Sequence, residues 1–168
     1  DGRRGPRRNG GGRVKEVVAY TDGACSGNPG RGGYGVVLLW NDHRREISRG
    51  FRHTTNNRME LMAVIAALRS LKGPCRVTVW SDSQYVVHAV EKGWARRWRQ
   101  NDWRKADRTQ ALNPDLWAEL LSLLESHPAR LKWTRGHAGD PENERADELA
   151  VAALKGDDLA VDAFYEST

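Results

Sequence analysis

Hydrophobic and polar positions along this chain follow two rhythms, and the change falls near residue 55. Residues 14–20 are rich in valine and tyrosine and run into Asp22-Gly23. Residues 26–33, with serine, glycine, asparagine and proline, read as a loop. Residues 34–40 read as a buried strand, Asn41-Asp42 as a turn, and 44–53 as the return strand of a meander. From Met59 the period lengthens to that of a helix. Leu61, Val64, Ile65, Leu68 and Leu71 share one face, and Gly73-Pro74 stops the run. Residues 76–80 form a short strand and 83–91 a helix. Asn113-Pro114 is a helix start, with Asn as cap and Pro in the first helical position, and it turns Leu116, Trp117, Leu120, Leu121 and Leu124 inward. A last strand covers 130–134, and Asp140-Pro141 opens a helix reaching about Leu154. Three antiparallel strands followed by alternating helix and strand predict an α/β fold, with a mixed five-stranded sheet, flanking helices and right-handed crossovers. Ligands of such sheets bind beyond the carboxyl ends of strands, and the pattern puts both Asp22 and Asp82 there.

Charge sharpens this picture because the net +5 is unevenly placed. Residues 1–13 carry five arginines and one aspartate without apolar periodicity, and read as a disordered basic Gly/Arg tail. Residues 156–168 carry three aspartates and a glutamate with no base, an acidic C-terminal tail. Residues 14–155 between them make one domain. Within it, residues 92–108 hold seven basic side chains against Asp102 and Asp107, a patch directed at a polyanion. Trp94, Trp98 and Trp103 alternate with those arginines. That is the composition of a nucleic-acid handle, arginines on phosphates and aromatic faces on sugars, although the same spacing also suits a tryptophan buried against a neighbouring helix. No run of about 18 apolar residues and no apolar leader is visible, so no membrane span is expected. Cys25 and Cys75, far apart and without metal-like spacing, read as reduced thiols in a cytosolic protein, with a single disulfide between them as the alternative.

The chemistry collects on four acids: Asp22, Glu60, Asp82 and Asp147. Each has an ordinary explanation. Asp-Gly is a common turn pair, and Asn57 to Glu60 has the form of a capping box. Asp82 stands where it could cap the helix starting at Ser83, and Asp147 is one of several acids in its helix. Four of them at the mouth of one sheet, with no base between them, repel one another unless a divalent cation joins them. Mg²⁺ suits a site of few carboxylates plus substrate oxygens, and no Cys/His set has zinc spacing. His137, flanked by Gly136 and Gly139 in a loop just before Asp147, titrates near neutrality and is placed to shuttle protons.

These residues sit in runs that carry a resemblance. Thr-Asp-Gly-Ala-Cys-Ser-Gly-Asn-Pro-Gly (21–30), Thr55-Asn-Asn-Arg-Met-Glu-Leu-Met-Ala63, Ser81-Asp-Ser-Gln-Tyr-Val86, Gly136-His-Ala-Gly139 and Pro141-Glu-Asn-Glu-Arg-Ala-Asp-Glu-Leu149 resemble the motifs of the type 1 ribonucleases H, in the family's order and over about residues 14–155. The likeness is to the bacterial form, which has a basic protrusion, here about residues 93–112. It implies the ribonuclease H-like fold and an endonuclease that cuts the RNA strand of RNA–DNA hybrids, leaving 5′-phosphate and 3′-hydroxyl ends. It implies two Mg²⁺ ions, with Mn²⁺ as a substitute, held by Asp22, Glu60, Asp82 and Asp147. Asp22 would be shared, Asp147 would serve the water side, and Glu60 with Asp82 the leaving-group side. His137 would move protons. Asn28, Asn56, Asn57, Gln84 and the backbone near Cys25 match positions that contact RNA 2′-hydroxyls. Thr55 resembles part of a DNA-phosphate pocket. Trp94 and Trp98, with Arg96 and Arg97, are assigned to the DNA strand, and Asn143 is a further candidate for substrate contact. A monomer in the cytoplasm with no protein partner is expected.

Three other readings compete. A silent hybrid-binding module would keep the tryptophans and arginines but lose carboxylates, and all four are present. An integrase-like enzyme usually has three carboxylates and lacks both the His137 loop and the protrusion. A ribonuclease H domain of a larger polymerase is disfavoured by the long protrusion.

Overall fold

The alternating pattern of the first third becomes three long antiparallel strands: β1 (Lys15–Ser26), β2 (Gly30–Trp40) and β3 (His43–Thr54). The computed structural model describes residues 14–135 and 139–168, so the basic segment 1–13 lies outside the described residues. Next come α1 (Asn56–Arg69), β4 (Cys75–Ser81), α2 (Gln84–Glu91), α3 (Trp94–Gln100), α4 (Pro114–Ser126), β5 (Ala129–Trp133) and α5 (Pro141–Lys155), then a short β6 (Leu159–Ala160) and α6 (Ala163–Glu166). The sheet order is β5-β4-β1-β2-β3-β6. β4 and β5 run parallel to β1 and to each other, as the helical crossovers require.

One face of the sheet carries the core. Val17 and Ala19 of β1, Val36 and Leu38 of β2, and Val77 and Val79 of β4 meet Leu61, Val64, Ile65 and Leu68 of α1. Leu116, Trp117, Leu120, Leu121 and Leu124 of α4 extend the same cluster, all buried as the periodicity predicts. Each valine, leucine and isoleucine among them contributes about 1.5–3 kcal/mol on burial. α5 covers the opposite face.

Several local expectations are corrected. β1 does not stop at Asp22 but continues to Ser26, because Gly23, Ala24 and Cys25 keep pairing with Tyr34, Gly33 and Gly32. Asp22 therefore lies inside a strand, and the expected loop contracts to a turn at 27–29. α1 begins at Asn56. Its cap is Thr55, whose Oγ1 accepts from the Arg58 N–H at 3.3 Å. Glu60 takes no part in a capping box and is buried in the second turn. Asp82 likewise leaves the capping of α2 to Ser83. The sheet has six strands rather than five, the sixth coming from the acidic C-terminal segment.

That segment has a defined place. β6 runs parallel to β3 through Gly50 and Phe51, and Asp162 behind it is only 3% exposed. Asp162 accepts from Arg58 Nε at 2.6 Å and Nη2 at 3.0 Å, and from the Thr54 hydroxyl at 2.8 Å. Arg58 also forks onto Asp115 at 2.9 and 2.7 Å and reaches Asn113 Oδ1 at 3.3 Å. All five guanidinium N–H donors are thereby used. Phe164 lies over the guanidinium at 5.2 Å.

Candidate active site

The parallel ladder between β1 and β4 ends at the pair Thr21–Ser81. One residue further on come Asp22, still within β1, and Asp82, just past the end of β4, so two carboxylates stand side by side at this end of the ladder. Glycine decides what joins them. A Cβ at Gly23 would lie 2.5 Å from the Glu60 backbone nitrogen, so only glycine lets α1 approach closely enough to bring Glu60 in. On the other face, Gly35 pairs with Asp22, and a Cβ there would collide with the carbonyl of Ala146. Its absence lets α5 settle on the strand with Asp147 beside Asp22. Two missing side chains, one per face, close two helices on one aspartate.

The resulting site is acidic and poorly compensated. Single carboxylate oxygens of Asp22, Glu60 and Asp82 lie within 4.8 Å of one another. Asp22 Oδ1 accepts from the Gly23 N–H at 2.9 Å. Glu60 Oε2 and Asp82 Oδ1 are buried and have no hydrogen-bond partner among the described residues. Burial, then the like charges of Asp82 and Asp147, push the Asp22 carboxyl up to about 8, against a smaller downward pull from the Gly23 amide. Burial and then Asp22 and Asp82 hold Glu60 well above the usual carboxylate range. Tyr20, two residues before Asp22 on the same face of β1, is raised by burial and then by Asp140 and Glu142.

The structure thus brings Asp22, Glu60 and Asp82 together, with Asp147 next to Asp22. Asn143 lies one helical turn before Asp147, buried, its Oδ1 without a partner among the described residues. His137 lies outside the described residues. Around the cluster, Asn56 and Asn57 open α1 one turn before Glu60, and Gln84 opens α2, exposed. Asn28 stands in the 27–29 turn, where its Oδ1 accepts from the Asn56 N–H at 3.1 Å. The Cys25 thiol turns to the carbonyls of Gly30 and Thr54, and Cys25 and Cys75 are both free. In the protrusion, Arg96 and Arg97 are exposed. Trp98 packs edge-on against the buried Trp117, with 5.8 Å between centroids, and Trp94 against His88 at 6.2 Å. Both tryptophans are half-buried and anchor the handle to the domain.

One positioning residue escaped the sequence reading. The indole Nε1 of Trp133 donates to the Asp82 carbonyl at 3.1 Å, while the Thr134 N–H bonds the Ser81 carbonyl at 2.9 Å. β5 therefore grips both carbonyls flanking the Asp82 nitrogen and α-carbon. Nothing in the sequence distinguishes that tryptophan from a core one.

The ribonuclease H family model matches residues 14–155, which include the whole carboxylate cluster. The chain belongs to the ribonuclease H family. Ribonuclease H of Desulforamulus reducens is 60% identical over 149 residues, covering 89% of this chain and 94% of that one. Ribonuclease HI of a Synechocystis strain is 52% identical over 147 residues, covering 87% and 92%. Among solved structures, LC9-RNase H1, a type 1 RNase H with the type 2 active-site motif, superposes with a TM-score of 0.77 at 33% identity, covering 92% of this chain and 81% of that one. The chain is a type 1 ribonuclease H of the bacterial form, and its activity is hydrolysis of the RNA strand of an RNA–DNA hybrid. Family members depend on a metal, and the acidic cluster is where this one would bind it. Among the described residues no helix is long and apolar enough to cross a membrane.

Proposed function

We propose that Asp22, Glu60, Asp82 and Asp147 hold two Mg²⁺ ions, replaceable by Mn²⁺, and that cutting leaves a 5′-phosphate and a 3′-hydroxyl. The observation that carries this reading is the pair of orphaned acceptors, Glu60 Oε2 and Asp82 Oδ1. Buried carboxylate oxygens without donors are costly, and an all-oxygen set is what a hard divalent cation takes. Bound Mg²⁺ supplies Lewis acidity, activating water and offsetting charge at the scissile phosphate.

The side chains divide the remaining work. Asp22, on which α1 and α5 close from opposite faces, would be the shared ligand. Asp147 would serve the side of the attacking water, and Glu60 with Asp82 the side of the departing oxygen. His137 moves the proton. Asn28, Asn56, Asn57, Gln84 and the Cys25 backbone engage 2′-hydroxyls, the group that distinguishes RNA. Thr55 takes a DNA-strand phosphate, and Arg96 and Arg97 neutralise others. Trp94 and Trp98 pack against sugars of the DNA strand, and Asn143 contacts the strand beside Asp147. The enzyme acts as a monomer in the cytoplasm, a compartment that suits two free thiols.

The test is cleavage of labelled RNA–DNA hybrid, duplex RNA and duplex DNA in Mg²⁺ or EDTA, followed by analysis of the product ends. Only the RNA strand of the hybrid is expected to be cut, only with metal, giving fragments that a kinase cannot label at the 5′ end before phosphatase treatment. Cutting of duplex DNA, or 2′,3′-cyclic ends, would refute the reading.

A further inference from the structure

The sheet has two faces, and the helices cover them unequally. On one, α1 lies over β1, β2 and β3, and α2 over β4 and β5. On the other, α5 lies over β1, β2 and β3, and the half made by β4 and β5 stays open. Register sets the side chains of that open half in rows. Tyr20 pairs with Trp80 and Trp80 with Lys132, and one row back Val18 pairs with Thr78 and Thr78 with Arg130. Val79 and Leu131 are buried in the core, so strand alternation turns Trp80 and Lys132 outward. Val18, Tyr20, Thr78 and Trp80 are half-buried, and Arg130 and Lys132 are exposed.

Position and charge decide what this surface takes. Asp22 follows Tyr20 by two residues on the same face, about 6.6 Å along β1, so the aromatic row begins beside the carboxylate cluster. Its two edges differ in charge. Asp140 and Glu142, at the start of α5, lie near Tyr20. Along β5 stand Arg130 and Lys132. The Lys132 ammonium lies over the Trp80 ring at 5.5 Å and pairs with no carboxylate among the described residues. Arg130 meets Glu91 at 3.3 Å, in a pair whose arginine is 79% exposed, an interaction of the weak surface kind. A polyanion is therefore drawn to the β5 edge and turned away from the α5 edge, with its bases directed inward over the rings. Paired bases hide their faces in the duplex stack, whereas aromatic side chains on an open sheet take unpaired ones.

Resting on the reading that the cluster cuts the RNA strand of a hybrid, we propose that the row Tyr20, Trp80 and Lys132 binds unpaired RNA continuing that strand beyond the duplex. RNA is indicated over DNA by continuity. The row adjoins the carboxylates that hold the scissile strand, not the protrusion assigned to the DNA strand. One base stacks on Trp80 and its neighbour on Tyr20, and the phosphates run along β5. A base–aromatic stack outweighs an exposed cation–π contact, so the incoming base displaces the Lys132 ammonium, which then meets a phosphate. The enzyme thereby holds best those hybrids in which an RNA is annealed to DNA over only part of its length.

The experiment is fluorescence anisotropy in EDTA with a labelled blunt hybrid and the same hybrid carrying a short unpaired extension, at the 5′ or 3′ end of either strand. For wild type, an RNA extension of one polarity should tighten binding by about three- to tenfold, and extensions of the DNA strand should not. Trp80→Ser should lose that gain while binding the blunt hybrid as wild type does. Lys132→Ser, an exposed change that keeps the test open if Trp80→Ser fails to fold, should lose part of the gain. It should also lower the salt slope for the extended hybrid by about one. Equal gains in wild type and both variants, no gain from either RNA extension, or a gain carried by the DNA strand would overturn the proposal. Failure of wild type to bind even the blunt hybrid would instead overturn the functional reading, and the proposal with it.

Discussion

Asp22 sits where burial and charge both oppose its ionisation, and this has a consequence for stability. Its carboxyl is pushed up to about 8, and Glu60 is raised with it. Between the ordinary carboxylate range near pH 4 and about pH 8, the folded metal-free protein holds more protons than the unfolded chain, so its stability falls as pH rises through that window. We expect the melting temperature in EDTA to drop from pH 5 to pH 8 and Mg²⁺ to reverse the drop. Asp22→Asn, which removes the charge but keeps the shape, should stabilise the metal-free protein at pH 8 by about 1–3 kcal/mol, or roughly 3–10 °C. A melting temperature that does not move with pH, or that falls on Asn substitution, would contradict this. The four acids were legible in the sequence because each stands in a run whose chemistry is carried by residue type. Trp133 was not, because its role is one indole hydrogen bond across strands, and tryptophan in a short strand reads as core.

At the scale of elements, the site depends on how closely α1 and α5 approach β1. Gly23 and Gly35 set those distances, and neither can be recognised until the strand pairing is known. Gly35→Ala should push against the Ala146 carbonyl, costing about 1–3 kcal/mol as overpacking and moving Asp147 away from Asp22. A displacement of about 1 Å at reacting groups costs on the order of 10²-fold in rate, so single-turnover cleavage should fall by about that factor while hybrid affinity changes little. Equal losses in affinity and rate would instead indicate general disruption. The period of α4 is legible because it depends on one element: its expected inward face matches the buried set residue for residue, whereas α1 ends at Arg69 and leaves Leu71, expected on its inward face, beyond the helix. The end of β1 was misread because Gly23 and Ala24 have poor strand propensity, and only pairing with β2 keeps them extended.

The whole molecule is closed by an interaction spanning 104 positions in sequence, Arg58 to Asp162. No local pattern predicts it, since an aspartate in a short acidic stretch looks solvated until its partner is known. With Asp115, Asp162 surrounds a guanidinium that is itself buried. Removing one partner of a buried pair costs about 3–5 kcal/mol, because the other charge is left uncompensated. Asp162→Ala should lose about that much in denaturant unfolding, and removal of residues 156–168 at least as much. Asp157→Ala, an exposed change in the same segment, should stay within about 0.5 kcal/mol. If both substitutions behave alike, the segment is a tail after all.

All three scales meet in the carboxylate cluster. The most direct measurement is single-turnover cleavage of an RNA-labelled hybrid by wild type and by Asp22→Asn across a Mg²⁺ titration. We expect wild type to cut the RNA strand with a saturable dependence on Mg²⁺ and the variant to be slower by at least about 10³-fold at every concentration, a loss of about 4 kcal/mol in transition-state stabilisation. Comparable rates for the two proteins, or cleavage that persists in EDTA, would show that Asp22 is not the shared ligand of a catalytic metal centre.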